Sequence, residues 1–262
     1  MNLILLYIIL IIIISYYLFK INNILLLIKL KYLINSKYSN LYIISNDKCE
    51  CKKNILFTCD KCIIENLCNI ESYNDNIRLC SNINENDELN IIVHTIGGYS
   101  KTIDLISLLL KKRKGKVNIY VPKYAYSSGT MLILSADNIY MNWYSVGGPV
   151  DTQIDFVHNN ELENNYSVRY IRKLKKCNME NDKQFLQGCL AEDYYNECKL
   201  LLEKILQDNK NSEIIIQKLL NNDVSHDYFY TKNEFKNMGL NIVDNVPSHI
   251  MKIFNLYKKI FS

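Results

Sequence analysis

Two short stretches of this chain carry residues that could make and break a covalent bond. One is His94-Thr95-Ile96-Gly97-Gly98, which closes a β-branched run; the other is Ala125-Tyr126-Ser127-Ser128-Gly129-Thr130-Met131, which follows a second such run. A tight Gly-Gly turn presents backbone N–H groups, and a serine at a helix start holds its hydroxyl beside the positive end of the helix dipole. Donors aimed at a carbonyl oxygen stabilise the charge that develops there when a hydroxyl attacks the carbon, so the chemistry suggested is acyl transfer. Each piece alone also has an ordinary explanation. A Gly pair after a strand permits positive φ, and serine at a helix start is a common N-cap.

The elements around these stretches bring them together. Ile91 to Thr95 and Val117 to Val121 are too short for helices and flank a helical pattern from Ile103 to Leu110, which reads as a βαβ unit in a parallel sheet. Met131 to Ala136 begins a further helix. Both chemical stretches then lie at the carboxyl ends of parallel strands, where open α/β sheets bind their ligands.

His94-Thr95-Ile96-Gly97-Gly98, Val121-Pro122-Lys123-Tyr124-Ala125-Tyr126-Ser127-Ser128-Gly129-Thr130, Ala136-Asp137-Asn138-Ile139-Tyr140-Met141 and Gly148-Pro149-Val150-Asp151-Thr152-Gln153 together resemble the serine dehydrogenase proteinase family, relatives of Clp protease and signal peptide peptidase A. The resemblance runs from about Ile70 to the C-terminus and is weak before it. It implies an α/β fold of the ClpP/crotonase type, a repeated ββα spiral core. Ser127 matches the family's nucleophile, and Gly98 with the Ser128 N–H matches its oxyanion hole. Two family prolines are replaced here, by Ile96 and Thr152, which loosens two turns and removes no reacting atom.

A serine hydroxyl needs a base. The position near Gly148 where Clp-type proteases carry histidine has none, which favours a Ser-Lys dyad of the signal peptide peptidase A kind. Lys173 is the first candidate, with Lys175 and Lys176 beside it. Of the four histidines, His226 lies in a family-like segment and is the alternative base; its neighbour Asp227 cannot face it merely by adjacency. His94 sits in a strand and serves equally well as a structural hydrogen-bonding group, whereas His158 and His249 read as solvated.

The chain has 262 residues, 48% apolar and 22% charged, enough for one sizeable core. Its net charge of +4 is scattered, without aromatic stacking platforms, and gives no case for nucleic acid. Residues 1–37 read as a membrane anchor with a juxtamembrane segment. Leu3 to Phe19 would form an apolar helix of roughly 25 Å, against a hydrocarbon core of about 30 Å. No basic region precedes it and no small-residue cleavage site follows, as a signal peptide would require. Lys20, Lys29, Lys31 and Lys37 follow the span, which places the domain in the cytosol by the positive-inside rule. Ile24 to Ile34 reads as an amphipathic helix on the membrane surface or as the start of the domain.

Residues 38–82 form a Cys-rich lead-in, with Leu41 to Ser45 as a strand. Cys49, Cys51, Cys59 and Cys62 have a spacing that can close a tetrahedral zinc site; free thiols, or disulfides on the other side of a membrane, are the alternatives. Catalysis itself calls for no cofactor. Residues 83–262 form the peptidase domain. Beyond Gln153 the expectation is helical: a loop at Asn159 to Asn165, helices at Tyr166 to Lys176, Cys189 to Gln207 and Ile214 to Leu220, then a helix closed by Gly239 and a short strand at Ile242-Val243. The reading is a membrane-anchored, homo-oligomeric serine endopeptidase acting on polypeptides. Its rivals are a catalytically inactive scaffold of the same fold and a crotonase-like acyl-thioester enzyme.

Overall fold

The computed structural model describes residues 3–35, 41–45, 64–65, 84–97, 100–150, 153–158, 161–168, 171–172, 182–221 and 224–261. Its frame is a six-stranded, all-parallel sheet. The strands run in the order β11 (Ile242–Asp244), β6 (Asn138–Met141), β4 (Val117–Val121), β3 (Leu89–His94), β1 (Leu41–Ser45) and β2 (Ile64–Glu65). The βαβ unit is present, with helix α2 (Ser100–Lys111) between β3 and β4. Every residue of β3 and β4 is buried, because helices cover both faces of the sheet.

Alternation along the strands divides the core in two. Ile91, Val93, Ile119 and Val121 face one way, toward α2, α3 (Ser128–Leu134), α4 (Asp182–Ile205) and α5 (Ser212–Leu219). Ile92 and Tyr120 face the other way, toward α7 (Ser248–Phe261) and the C-terminal part of α1 (Leu3–Asn35). Helix α7 was not anticipated from the sequence. It is nonetheless amphipathic, burying Ile250, Ile253, Phe254 and Tyr257 at helical spacing.

On this second face, toward the amino ends of the strands, asparagines form a side-chain ladder. Asn118 Nδ2 donates to Asn90 Oδ1 (3.1 Å) and Glu88 Oε1 (2.9 Å), and Asn138 Nδ2 donates to Asn118 Oδ1 (2.8 Å). Asn241 Nδ2, just before β11, donates to Asn138 Oδ1 (2.9 Å). A slip of one residue in any strand would turn its asparagine to the opposite face, so the ladder fixes register.

A smaller sheet joins β5 (Tyr124–Ala125), β7 (Val146–Gly147) and β10 (Tyr230–Thr231). Helix α6 (Lys232–Asn237) starts from a capping box in which Thr231 and Glu234 bond each other's backbone, and Gly239 at φ +92° ends it as expected.

Three expectations are corrected. The segment after Gln153 is not a loop but a hairpin, β8 (Gln153–His158) with β9 (Glu161–Ser167), carrying a register shift at Phe156/Val157, and the helix expected from Tyr166 is found at Val168, Ile171 and Arg172, past the end of β9. The asparagines of β9 disfavour a strand by propensity, and the partner strand supplies what the local sequence lacks. The stretch Ile24 to Ile34 is no separate surface helix; it continues the first helix, and Leu30 is buried against the domain. Among the described residues no helix is long and apolar enough to cross a membrane, so the structure gives the expected transmembrane span no support. The side chains of residues 3–10, the most apolar part of α1, lie outside those described.

Candidate active site

Ser127 occupies the sharp turn between β5 and α3, at the carboxyl edge of the sheet. Its backbone has φ 52° and ψ −118°, a region that side-chain-bearing residues avoid at a cost of roughly 1–3 kcal/mol. It stands at the N-cap position of α3, yet its side chain makes no capping hydrogen bond. The ordinary explanation for a serine here therefore fails, because the hydroxyl is not spent on the helix. A serine held on a strained strand-to-helix turn, half-buried with its hydroxyl uncommitted to the cap, is the geometry of an exposed nucleophile.

The surroundings hold that conformation in place. Gly97, at φ +111°, lies against Ser127: a Cβ added there would come within 2.9 Å of Ser127 Cβ and 3.4 Å of its Oγ. The Gly97 N–H donates to Thr95 Oγ1 at 3.0 Å, and Tyr126 N–H donates to the Thr95 carbonyl at 2.9 Å, which ties the β3 end to the nucleophile turn. Beneath the turn, Thr130 Oγ1 contacts the carbonyls of Ala125 (2.8 Å) and Gly148 (2.9 Å) and accepts from Gly148 N–H (3.1 Å). Gly148 also leaves room for the Tyr126 ring, whose Cδ1 would lie 2.7 Å from an added Cβ. Burial pushes the Tyr126 phenol above its ordinary pKa, with Tyr124 adding to the effect, so beside Ser127 it is a neutral hydroxyl and not a base.

Gly97→Ala is expected to be damaging on two counts. Positive φ strains any side chain, by roughly 1–3 kcal/mol, and the new methyl must displace Ser127. A misplacement of about 1 Å at a reacting centre costs on the order of 10²-fold in rate. Denaturant unfolding and peptide turnover, measured together, separate the two effects.

The remaining sequence candidates divide sharply. Ser128 is the first residue of α3 and buried. His226 lies half-buried in the turn closed by Tyr228 N–H to Ser225 O (3.1 Å), ahead of β10. His94 is buried, with ring centroids 4.1 Å from Tyr124 and 4.9 Å from Phe254, in keeping with a core position. Gly98, Lys173, Lys175 and Lys176 lie outside the described residues, as do Cys49, Cys51, Cys59 and Cys62. The chain immediately before Lys173 is pinned: Arg172 makes a two-pronged ion pair with Glu192 (2.8 and 3.1 Å) and stacks 3.4 Å over the Tyr195 ring. Among the described residues no group of three or more His, Cys, Asp or Glu could hold a metal. Sequence reasoning missed Thr95 and Thr130, the two side chains that join the pieces of the site.

A parallel α/β sheet with a serine on a strained turn at its carboxyl edge, packed against a glycine turn, defines a serine-hydrolase type of site. The comparison with known families narrows this. The model of the ClpP-like SDH-type serine proteinases matches residues 1–262, and the chain belongs to that family. Two uncharacterized proteins of Methanocaldococcus jannaschii are each 29% identical to it over 177 residues. The match covers 66% of this chain and 58% of the first relative, and 65% and 59% for the second, so the chain spans less than two thirds of these curated relatives. Of solved structures, the 1510-N membrane-bound stomatin-specific protease aligns with a TM-score of 0.49 and 14% identity over 82% of this chain and 84% of that one. ClpP1 from Listeria monocytogenes aligns with a TM-score of 0.43 and 14% identity, over 79% and 91%.

Proposed function

We propose that this protein is a membrane-attached serine peptidase that hydrolyses polypeptides through Ser127. The observation that carries the reading is the strained Ser127 backbone with no capping bond to its hydroxyl. The reaction needs an acyl-enzyme: Ser127 Oγ attacks the scissile carbonyl, its proton passes to a base and then to the leaving amine, and water repeats the sequence on the ester. Because Gly97 N–H is committed to Thr95, the next N–H, that of Gly98, is the one assigned to the oxyanion, together with Ser128 N–H. Loss of one such donor costs roughly 2.7–4 kcal/mol of barrier, the size of effect assigned to Gly98→Val.

Lys173 is assigned as the base, with Lys175, Lys176 and His226 as the residues to test beside it. A lysine accepts a proton only when neutral, so turnover should climb with pH into the alkaline range, whereas a histidine base would level off near neutrality. Of Lys173→Met, Lys175→Met, Lys176→Met and His226→Ala, the substitution that removes the base should match loss of the nucleophile in severity. A homo-oligomer with its domain in the cytosol completes the proposal, and the four cysteines of the lead-in are assigned to a structural zinc, testable by metal analysis.

Membrane attachment rests on α1. Ile11, Ile12, Ile14, Leu18, Phe19 and Ile21 are between 49% and 65% exposed, and Tyr16 and Tyr17 on the opposite half of the helix are each 59% exposed. Each such Ile, Leu or Phe side chain gains about 1.5–3 kcal/mol when removed from water, which nothing in the described domain supplies. The deciding experiment is labelling with a fluorophosphonate. One adduct per chain on Ser127 is expected, and a folded protein that takes none would turn the reading toward the scaffold or acyl-thioester alternatives.

A further inference from the structure

We propose that the turn between β6 and β7 is a membrane-contact surface, so that the carboxyl edge of the sheet, with Ser127 on it, faces an anionic bilayer. The inference rests on the membrane attachment proposed above and adds which side of the domain meets the lipid. Trp143, the single tryptophan of the chain, is 79% exposed in this turn, and Tyr144 beside it is 44% exposed. Their rings stand edge to face with centroids 5.4 Å apart.

The exposure is built in, because the turn is firmly held. Ser145 Oγ donates to the Val121 carbonyl (2.7 Å) and accepts from Asn142 N–H (3.0 Å). Asn142 Nδ2 donates to the Pro122 carbonyl (3.2 Å) and to Tyr144 Oη (3.1 Å), while Asn142 Oδ1 accepts from Val246 N–H (3.1 Å). An indole and a phenol, each with an apolar body and one polar tip, are best solvated where headgroups meet acyl chains. Two exposed lysines flank the pair. Lys123 bonds the start of β7 through its carbonyl, and Lys252 follows Met251, whose sulfur lies 3.7 Å from Asn142 Nδ2. Cations beside interfacial aromatics match anionic headgroups.

The path of α1 places lipid on the same side. Helix α7 begins at this edge, since Val246 and Met251 both contact Asn142. Helix α1 packs along α7 through a stripe of Asn23, Leu26, Leu27, Leu30 and Leu33. Only five residues separate Asn35 from Leu41 at the amino end of β1, so the C-terminal end of α1 lies toward the amino edge. Its N-terminal part then runs out past the carboxyl edge. Every described residue from Ile11 to Asn22 is exposed, and Lys20 lies only about 4.5 Å along the axis from Asn23, where packing begins. A bilayer that takes up the apolar stretch therefore starts where the Trp143 edge ends, and the polypeptides within reach of Ser127 are those lying at the bilayer surface.

The single tryptophan makes the test direct. The full chain is reconstituted in phosphatidylcholine vesicles with and without phosphatidylserine, and Trp143 emission is read after flotation. With phosphatidylserine, the emission should shift to the blue, resist acrylamide, and be quenched by lipid brominated high on the acyl chain. Lys123→Glu combined with Lys252→Glu should still float but lose most of that quenching; quenching that persists unchanged overturns the role of anionic lipid. A protein that floats while Trp143 stays open to acrylamide and blind to brominated lipid overturns the inference and leaves the anchor standing. A folded protein that does not float removes the anchor, and the inference with it.

Discussion

Ser127→Ala is expected to fold normally and to lose turnover by roughly 10⁴–10⁶-fold, the range seen when a nucleophile that acts as a unit with its base is removed. Labelling by a fluorophosphonate should vanish with it. Ser127→Gly separates chemistry from strain. Alanine keeps the Cβ and therefore keeps the penalty of φ 52°, whereas glycine takes up that backbone freely. The glycine variant should be equally inactive yet more stable than the parent by about 1 kcal/mol, once the greater freedom of its unfolded chain is set against the relieved strain. Denaturant midpoints of the three proteins measure this. Turnover retained in Ser127→Ala would end the peptidase reading. Equal stability of the alanine and glycine variants would show instead that the strain in the turn is no larger than the roughly 0.4–1 kcal/mol that glycine costs through its looser unfolded chain.

Thr130→Val should produce the largest loss of stability at the site. Valine nearly matches threonine in shape, so packing is kept and only the hydroxyl goes. The Gly148 N–H then loses its acceptor, and the Ala125 and Gly148 carbonyls lose the one hydroxyl proton they share, all in buried residues. Leaving a buried polar group unsatisfied costs about 1–3 kcal/mol, so a loss of about 3 kcal/mol or more is expected. Turnover should fall as well, because those contacts hold β5, the Gly148 strand end and α3 around Ser127. Thr130→Ser restores the hydroxyl without the methyl and should recover most of both. A valine variant with parental stability would mean that water replaces the hydroxyl and that the junction is not what positions the turn.

What could be read from the residues beforehand was the part governed by local pattern. The runs Ile91 to Thr95 and Val117 to Val121 are strands because they are β-branched and short, and Ser127 follows the second of them, in the turn after the short β5. The conformation of that turn was not legible: whether a serine at a helix start caps it or is held away from it depends on Gly97 at the end of β3 and on Gly148, which Thr130 bonds, and both reach it from other elements. The hairpin β8–β9 was misread for the same reason, since Asn164 and Asn165 are strand residues only by virtue of pairing with Phe156 and Asp155. Helix α7 was within reach, its apolar residues recurring at helical spacing.

The packing of α1 on α7 joins the first described helix to the last. Leu30 is buried in one cluster with Tyr257, and β11 takes its place beside β6 across about a hundred intervening residues, as the Asn241 to Asn138 bond shows. At a synthesis rate of about 5–20 residues per second, α1 leaves the ribosome on the order of ten seconds or more before its partner exists. Throughout that interval the Leu30 stripe and the Ile92, Tyr120 face of the sheet have nothing to cover them. Completion of the fold must therefore wait until α7 has emerged, and a chain cut short before Ser248 would expose the same apolar faces permanently, marking the truncated product for aggregation or proteolysis.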